Sequence, residues 1–190
     1  MEIHNSRFEG DFKAFGESFA QRGFFENHRV FSASEVRRMQ DVRFALTVGA
    51  TALSTYFNRD DELEEYLKRY NDEFPMRADL ERELDAALEF IDAMRFPTTS
   101  RLWKKADLFS AMVELHAALY KRQRLIAPDR VAAALEDLYK RVDDPEARGQ
   151  PDTDPSRYYK AALQATNDRS SRVTRGEILR KLLDSVSDGE

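Results

Sequence analysis

The stretch FSASEVRRMQDVRFALTVGATAL, residues 31–53, carries the clearest helix signals in the chain. Ser32 and Glu35 form an S-x-x-E capping box, in which each side chain bonds to the other residue's backbone amide. Phe31 and Val36 occupy the flanking hydrophobic-staple positions. These signals predict a helix that begins at Ala33 and ends before Asn58. Its inward-facing residues are predicted to be Val36, Met39, Val42, Leu46, Ala50 and Leu53.

Helical spacing of apolar residues extends along most of the chain, and alternating runs of β-branched residues are missing. Further helices are predicted over residues 61–74, 76–94 and 102–122, and Pro128 fits the first turn of another. The predicted helix of residues 102–122 is apolar on more than one face, which indicates a central position in the fold. An aromatic stripe of Phe12, Phe15 and Phe19 at i, i+3 and i+7 is typical of a core-facing helix.

The C-terminal part of the chain follows a segment rich in Pro and Asp, residues 143–156, which we predict to be a disordered polar loop. Asp154 and Pro155 precede one helix, and a second capping box, Thr174 and Glu177, predicts the start of a final one. We expect an all-α fold, a single multi-helix bundle of about seven or eight helices. Its predicted parts are the bundle (1–142), the polar loop (143–156) and a helix pair (157–190) that packs back on the bundle.

Composition narrows the chemistry that this chain of 190 residues can perform. It contains no cysteine, which excludes disulfides, thiolate nucleophiles and cysteine-ligated metal sites. The three histidines, His4, His28 and His116, do not pair at metal-ligand spacing, and no glycine-rich phosphate loop occurs. We therefore predict no catalytic residue, no metal and no cofactor. No secretion signal or membrane-spanning apolar run is found, so we expect a cytoplasmic protein without membrane contact.

Charge is unevenly distributed, with seven basic residues against two acidic ones between Arg157 and Lys181. Arginines recur at every third residue close to the predicted start of the final helix, where backbone amides attract phosphate. One interpretation is a nucleic-acid or phosphate contact; the other is that the arginines pair with the acidic helices of residues 60–92. The candidate contact residues are Arg169, Arg172, Arg175, Arg180 and Lys181.

Several strings of the sequence resemble the helical C-terminal half of GmrSD-type restriction proteins. They are FSASEVRRMQDV (31–42), TNDRSSRVTRGEIL (166–179), EGDFKAF (9–15), LEEYLKRYNDEFP (63–75) and the helix after RLWKKADLF (101–109). The resemblance runs nearly end to end. It implies a helical module that accompanies a ParB-like domain in bacterial defence against foreign DNA. The Asp-Gly-Gln-Gln-Arg motif of that domain and the His-Asn-His nuclease of some members are absent from this sequence.

We consider three functional hypotheses, of which the resemblance implies the first. In the first, the chain is a non-catalytic subunit that acts with a separate ParB-like partner and touches DNA through its C-terminal arginines. A module separated from its usual neighbour should expose an apolar patch, and Phe12, Phe15 and Phe19 are the predicted partner-docking residues. In the second, the chain is a stand-alone nucleic-acid-binding regulator. In the third, it is a protein-interaction scaffold of undetermined oligomeric state.

Overall fold

A computed structural model describes residues 9–60 and 62–187, and within them regular structure is helical, without a strand. The all-α prediction is therefore confirmed. A 3-10 turn, Arg101–Trp103, precedes the helix Lys105–His116, and a π-helical turn, Ala117–Lys121, follows that helix. The α-helices are α1 (Asp11–Ala20), α2 (Gly23–Asn27), α3 (Ala33–Arg37), α4 (Gln40–Leu53), α5 (Leu63–Arg69), α6 (Arg77–Ala93), α7 (Lys105–His116), α8 (Pro128–Asp143), α9 (Pro145–Gly149), α10 (Asp154–Leu163) and α11 (Arg169–Val186).

Two compact units make up the chain, Met1–Asp85 and Ala86–Glu190. This division differs from the predicted one, which separated a bundle from a helix pair at residues 143–156. Three helices of five residues each, α2, α3 and α9, raise the helix count above the predicted seven or eight. Such short helices escape a periodicity argument because they complete little more than one turn.

The first unit is built around the aromatic stripe of α1. Phe12, Phe15 and Phe19 each expose 0% of their surface, which confirms that the stripe faces the core. Two glycines allow α1 and α4 to approach closely: a Cβ at Gly16 would lie 2.6 Å from the Leu46 side chain, and one at Gly49 would lie 2.6 Å from Phe15. The predicted docking role of the three phenylalanines is wrong, because their rings are sealed inside this unit.

The helix predicted from Ala33 onward is in fact two helices. The Ser32–Glu35 capping box forms as predicted, but Met39 adopts a left-handed backbone (φ 54°) and separates α3 from α4. The break brings the ring of Phe31 to 5.5 Å from that of Phe44. A continuous helix would hold these rings apart, since eleven residues of helix span about 16 Å. As a result Val36, predicted to face inward, is 48% exposed.

The second unit has α7 at its centre, as its apolar composition predicted. Every residue from Asp107 to His116 is buried. The helices α10 and α11 pack against each other and against α8, and α11 also packs against α7. The C-terminal helices therefore pack on α7 and α8 within the second unit.

Two predictions for the C-terminal part are wrong. The segment 143–156 contains α9 and the first residues of α10, so it is not a disordered loop. Asp144 caps α9 by accepting from the amides of Glu146 and Ala147. The final helix begins at Arg169, which leaves Thr174 in its second turn instead of at its start.

Candidate nucleic-acid interface

The predicted phosphate-contacting arginines separate into buried and exposed residues. Arg175 exposes 1% of its surface, and its guanidinium is bonded to neighbouring helices. Its Nε donates to the Ser110 hydroxyl at 3.0 Å, Nη1 to the Ala161 carbonyl at 2.5 Å and Nη2 to the Thr166 carbonyl at 2.9 Å. Arg175 therefore ties the end of α10 and the start of α11 to α7, and its predicted contact with nucleic acid is wrong.

Arg172 is also directed inward. It is 3% exposed, and its guanidinium carbon lies 5.1 Å from the centre of the Phe109 ring, a cation–π distance. Arg172 and Arg175 share the buried face of α11 with Ile178, Leu179 and Leu183. A phosphate cannot reach a side chain on that face, so the predicted role of Arg172 is wrong as well.

Arg169, Arg180 and Lys181 remain exposed. The structure brings the last two close to a pair of arginines that the sequence analysis did not select. Asp184 lies 3.6 Å from Arg122 Nε and 3.4 Å from Arg124 Nε. Because Arg180 and Lys181 precede Asp184 by four and three residues on the same helix, all three share one face of α11.

We call Arg122, Arg124, Arg180 and Lys181 the basic patch. Within the patch Arg122 and Arg124 contact the carboxylate of Asp184, and Arg122 also lies 3.4 Å from the carboxylate of Glu114. Among residues 9–60 and 62–187, four cations against two carboxylates leave a positive excess at a surface that the C-terminal half of α11 shares with the turn after α7. Such an excess attracts polyanions.

The turn that carries the two new arginines is held by backbone hydrogen bonds. The amide of Arg122 donates to the Ala117 carbonyl, and that of Arg124 donates to the Ala118 carbonyl, both at 2.8 Å. The turn also presents apolar side chains beside its cations: Tyr120 is 37% exposed and Leu125 is 75% exposed. The Tyr120 ring packs against buried His116, with 5.7 Å between the ring centres.

Neither arginine was predicted, because both lie outside the regular helical spacing of the arginines in the final helix. Arg122 and Arg124 lie in the short connection KRQRLIAP (121–128), where two arginines occur beside the exposed Leu125 and directly after Tyr120. That combination of basic and aromatic or apolar residues in a loop is the signal that could have found them.

A second polar cluster lies inside the second unit. Arg101 Nε donates to Asp107 Oδ2 at 3.2 Å and its Nη1 donates to Asp143 Oδ1 at 2.8 Å. The same guanidinium lies 5.6 Å from the ring centres of both Tyr139 and Tyr158. The Tyr158 hydroxyl interacts electrostatically with Asp107, although the two do not have the geometry of a normal hydrogen bond.

Burial is the main cause of the shifted pKa values of Asp107 and Tyr158 in this cluster. It raises the pKa of the Asp107 carboxyl, although the charge of Arg101 opposes the rise, and it raises the pKa of the Tyr158 phenol well above its ordinary value. An acid beside two phenols could transfer protons, but Asp107 is 1% exposed and Tyr158 is 0% exposed. A substrate cannot reach them, so the cluster links the 3-10 turn, α7, α8 and α10 and is structural.

Neither a cluster of metal ligands nor a membrane-spanning helix is found among the described residues. No group of three or more His, Asp or Glu side chains among them could hold a metal ion. His116 is buried against Tyr120, His28 packs against Phe24, and His4 lies outside the described residues. In the part of the chain that the structure describes, no helix is both long and apolar enough to span a bilayer.

A groove of about 580 Å³ lies between the segment that ends α6 and the first turns of α8. Phe96 and Pro97 form one wall, and Ala132 and Ala133 form part of the other. Arg95, Asp129 and Glu136 also line the groove, so its charged side chains are two acids and one base, which does not favour an anionic ligand. The basic patch is therefore the better candidate for a functional site.

Comparison of the chain with models of known protein families, with curated proteins and with solved structures finds no match.

Proposed function

We propose that this chain is a non-catalytic helical module of a bacterial DNA-targeting defence system, which acts with a separate ParB-like partner and contacts nucleic acid itself. The resemblance of residues 31–42 and 166–179 to GmrSD-type proteins supports the biological setting. The basic patch is the observation that carries the nucleic-acid contact, because it gathers cations from two elements on one surface, with Arg180 and Lys181 exposed and Arg122 and Arg124 half-buried.

A binding titration tests the nucleic-acid contact. Fluorescently labelled DNA, single-stranded and duplex, is titrated with the protein between about 50 and about 200 mM NaCl, the range over which phosphate contacts weaken most visibly. The variant to compare is the triple substitution Arg124→Ala, Arg180→Ala and Lys181→Ala. Arg122 is left in place because its removal would leave the buried carboxylate of Glu114 without that partner.

We expect wild-type binding to weaken steeply with salt, because each neutralised phosphate releases counterions. The triple variant should bind at least about tenfold more weakly and lose roughly two to three units of the log–log salt slope. A control variant removes three exposed cations elsewhere in the second unit: Lys140→Ala, Arg141→Ala and Lys160→Ala. Equal losses in both variants would show that total charge, and not the patch, governs binding, and would contradict this part of the proposal.

Co-purification tests the partner. The chain is co-expressed with the proteins encoded beside it and purified through an affinity tag. Retention of a ParB-like protein is the expected result. Binding of DNA without retention of such a protein would favour the stand-alone regulator, and retention of other proteins without DNA binding would favour the interaction scaffold.

A further inference from the structure

We propose that the basic patch binds single-stranded nucleic acid and stacks one base on the ring of Tyr120. This inference rests on the nucleic-acid contact proposed above and names the class of ligand. Its basis is the juxtaposition, on one turn and the adjoining helix, of an exposed aromatic ring and four cations.

Tyr120 has the properties of a stacking platform. Its ring lies on the π-helical turn and packs against buried His116, which fixes the ring's orientation. More than a third of the residue, 37%, is exposed to solvent. A ring that is already held in place loses little conformational freedom when a base stacks on it.

Cations lie near this platform in the same turn and on the adjoining helix. Arg122 and Arg124 follow Tyr120 by two and four residues, and Asp184 connects them to the helix face that carries Arg180 and Lys181. Backbone phosphates on either side of a stacked base would meet these four side chains. Loop aromatics interleaved with cations are the arrangement that single-strand-binding proteins use.

A duplex fits this surface less well. In a duplex the base faces are stacked on one another, so an exposed ring finds a face only where a base is unpaired.

An anionic membrane surface is also disfavoured. Interfacial helices insert an apolar face between lipid headgroups. In α11, Ile178, Leu179 and Leu183 are buried and none of its other apolar residues is fully exposed. The exposed apolar groups beside the patch are the separate side chains of Tyr120 and Leu125. Two side chains give less contact area than such insertion needs.

The test measures the affinity of the full chain for two probes, oligodeoxythymidylate of about 12 nucleotides and a duplex of the same length. Tyr120→Ala removes the ring, and Tyr120→Phe keeps the ring but not the hydroxyl. Tyr159→Ala is a matched control, since that half-buried ring packs against Arg148 with 4.4 Å between guanidinium and ring centre. Thermal unfolding of each variant confirms that it is folded.

We expect the single strand to bind at least about tenfold more tightly than the duplex at equal salt. Tyr120→Ala should weaken single-strand binding by about tenfold, the effect of losing one stacked base, and should leave duplex binding unchanged. Tyr120→Phe and Tyr159→Ala should each stay within about twofold of wild type.

The two proposals fail in different ways. Patch-dependent binding of duplex as tight as that of the single strand, or a Tyr120→Ala variant equal to wild type, would overturn the single-strand inference and leave the proposed nucleic-acid contact standing. No binding of either probe at low salt would overturn both. Binding to vesicles of phosphatidylserine without binding to either oligonucleotide would replace both with a membrane contact.

Discussion

Replacing Arg175 by methionine tests whether its role is structural. The two side chains have similar length, so the substitution removes the charge and the donors while filling much of the volume. In the wild-type protein the guanidinium donates to Ser110, Ala161 and Thr166 at 3.0, 2.5 and 2.9 Å. These bonds join three helical elements, so their loss should lower the stability of the whole second unit.

The size of the loss follows from the acceptors left behind. The Ser110 hydroxyl keeps its bond to the Ala106 carbonyl at 3.0 Å, and Thr166 is only half-buried, so water can replace its lost donor. The Ala161 carbonyl belongs to a buried residue, and an unsatisfied buried acceptor costs about 1–3 kcal/mol. Relief of the buried charge offsets part of the total. We expect a net loss of about 1–2 kcal/mol, or a decrease of roughly 2–8 °C in Tm.

Urea unfolding followed by circular dichroism measures this difference. The matched control is Arg180→Met, which changes the same residue type in the same helix but at an exposed position. Its free energy of unfolding should stay within about 0.5 kcal/mol of wild type. If the two variants are equally stable, Arg175 is not the link between α10, α11 and α7 that its hydrogen bonds indicate.

Two further substitutions test packing and protonation. Gly49→Ala should destabilise the protein by about 1–3 kcal/mol in urea unfolding, because its Cβ would lie 2.6 Å from the Phe15 ring. Gly23→Ala, whose Cβ meets nothing within 4 Å, should be neutral or slightly stabilising, and equal effects would refute the close approach. Asp107→Asn should alter the pH dependence of stability. Burial raises the pKa of Asp107 above 3.8 in the folded state, so the folded state binds the proton more tightly than the unfolded state does. The unfolding free energy of the wild type minus that of Asp107→Asn should therefore fall as the pH rises from 3.8 through the pKa that Asp107 has in the folded state. A difference that rises with pH would contradict the raised pKa of Asp107.

Local signals in the sequence determined much of the helical structure. The capping box of Ser32 and Glu35 starts α3 at Ala33, and Pro128 starts α8, as predicted. The spacing of Phe12, Phe15 and Phe19 was sufficient to place their rings in the core. Each of these features depends on residues within one or two turns of each other, which is the range over which caps and amphipathic spacing act.

Tertiary contacts decided which cations are available for binding. Arg172 and Arg175 carry the same charge as Arg180, and only the packing of α11 on α7 and α10 separates the buried residues from the exposed one. The acceptors of Arg175 lie 9, 14 and 65 residues away along the chain, beyond any local pattern. The same holds for the basic patch, because Asp184 joins Arg122 to α11 across more than sixty residues.

The sequence by itself determined that the chain is helical and where most of its apolar stripes point. Only the folded chain determined that two arginines of the final helix are interior hydrogen-bond donors and that two arginines of a short turn stand at the surface. The physical reason is that a helix forms from neighbours in sequence, whereas the burial of a long charged side chain depends on acceptors that distant segments supply.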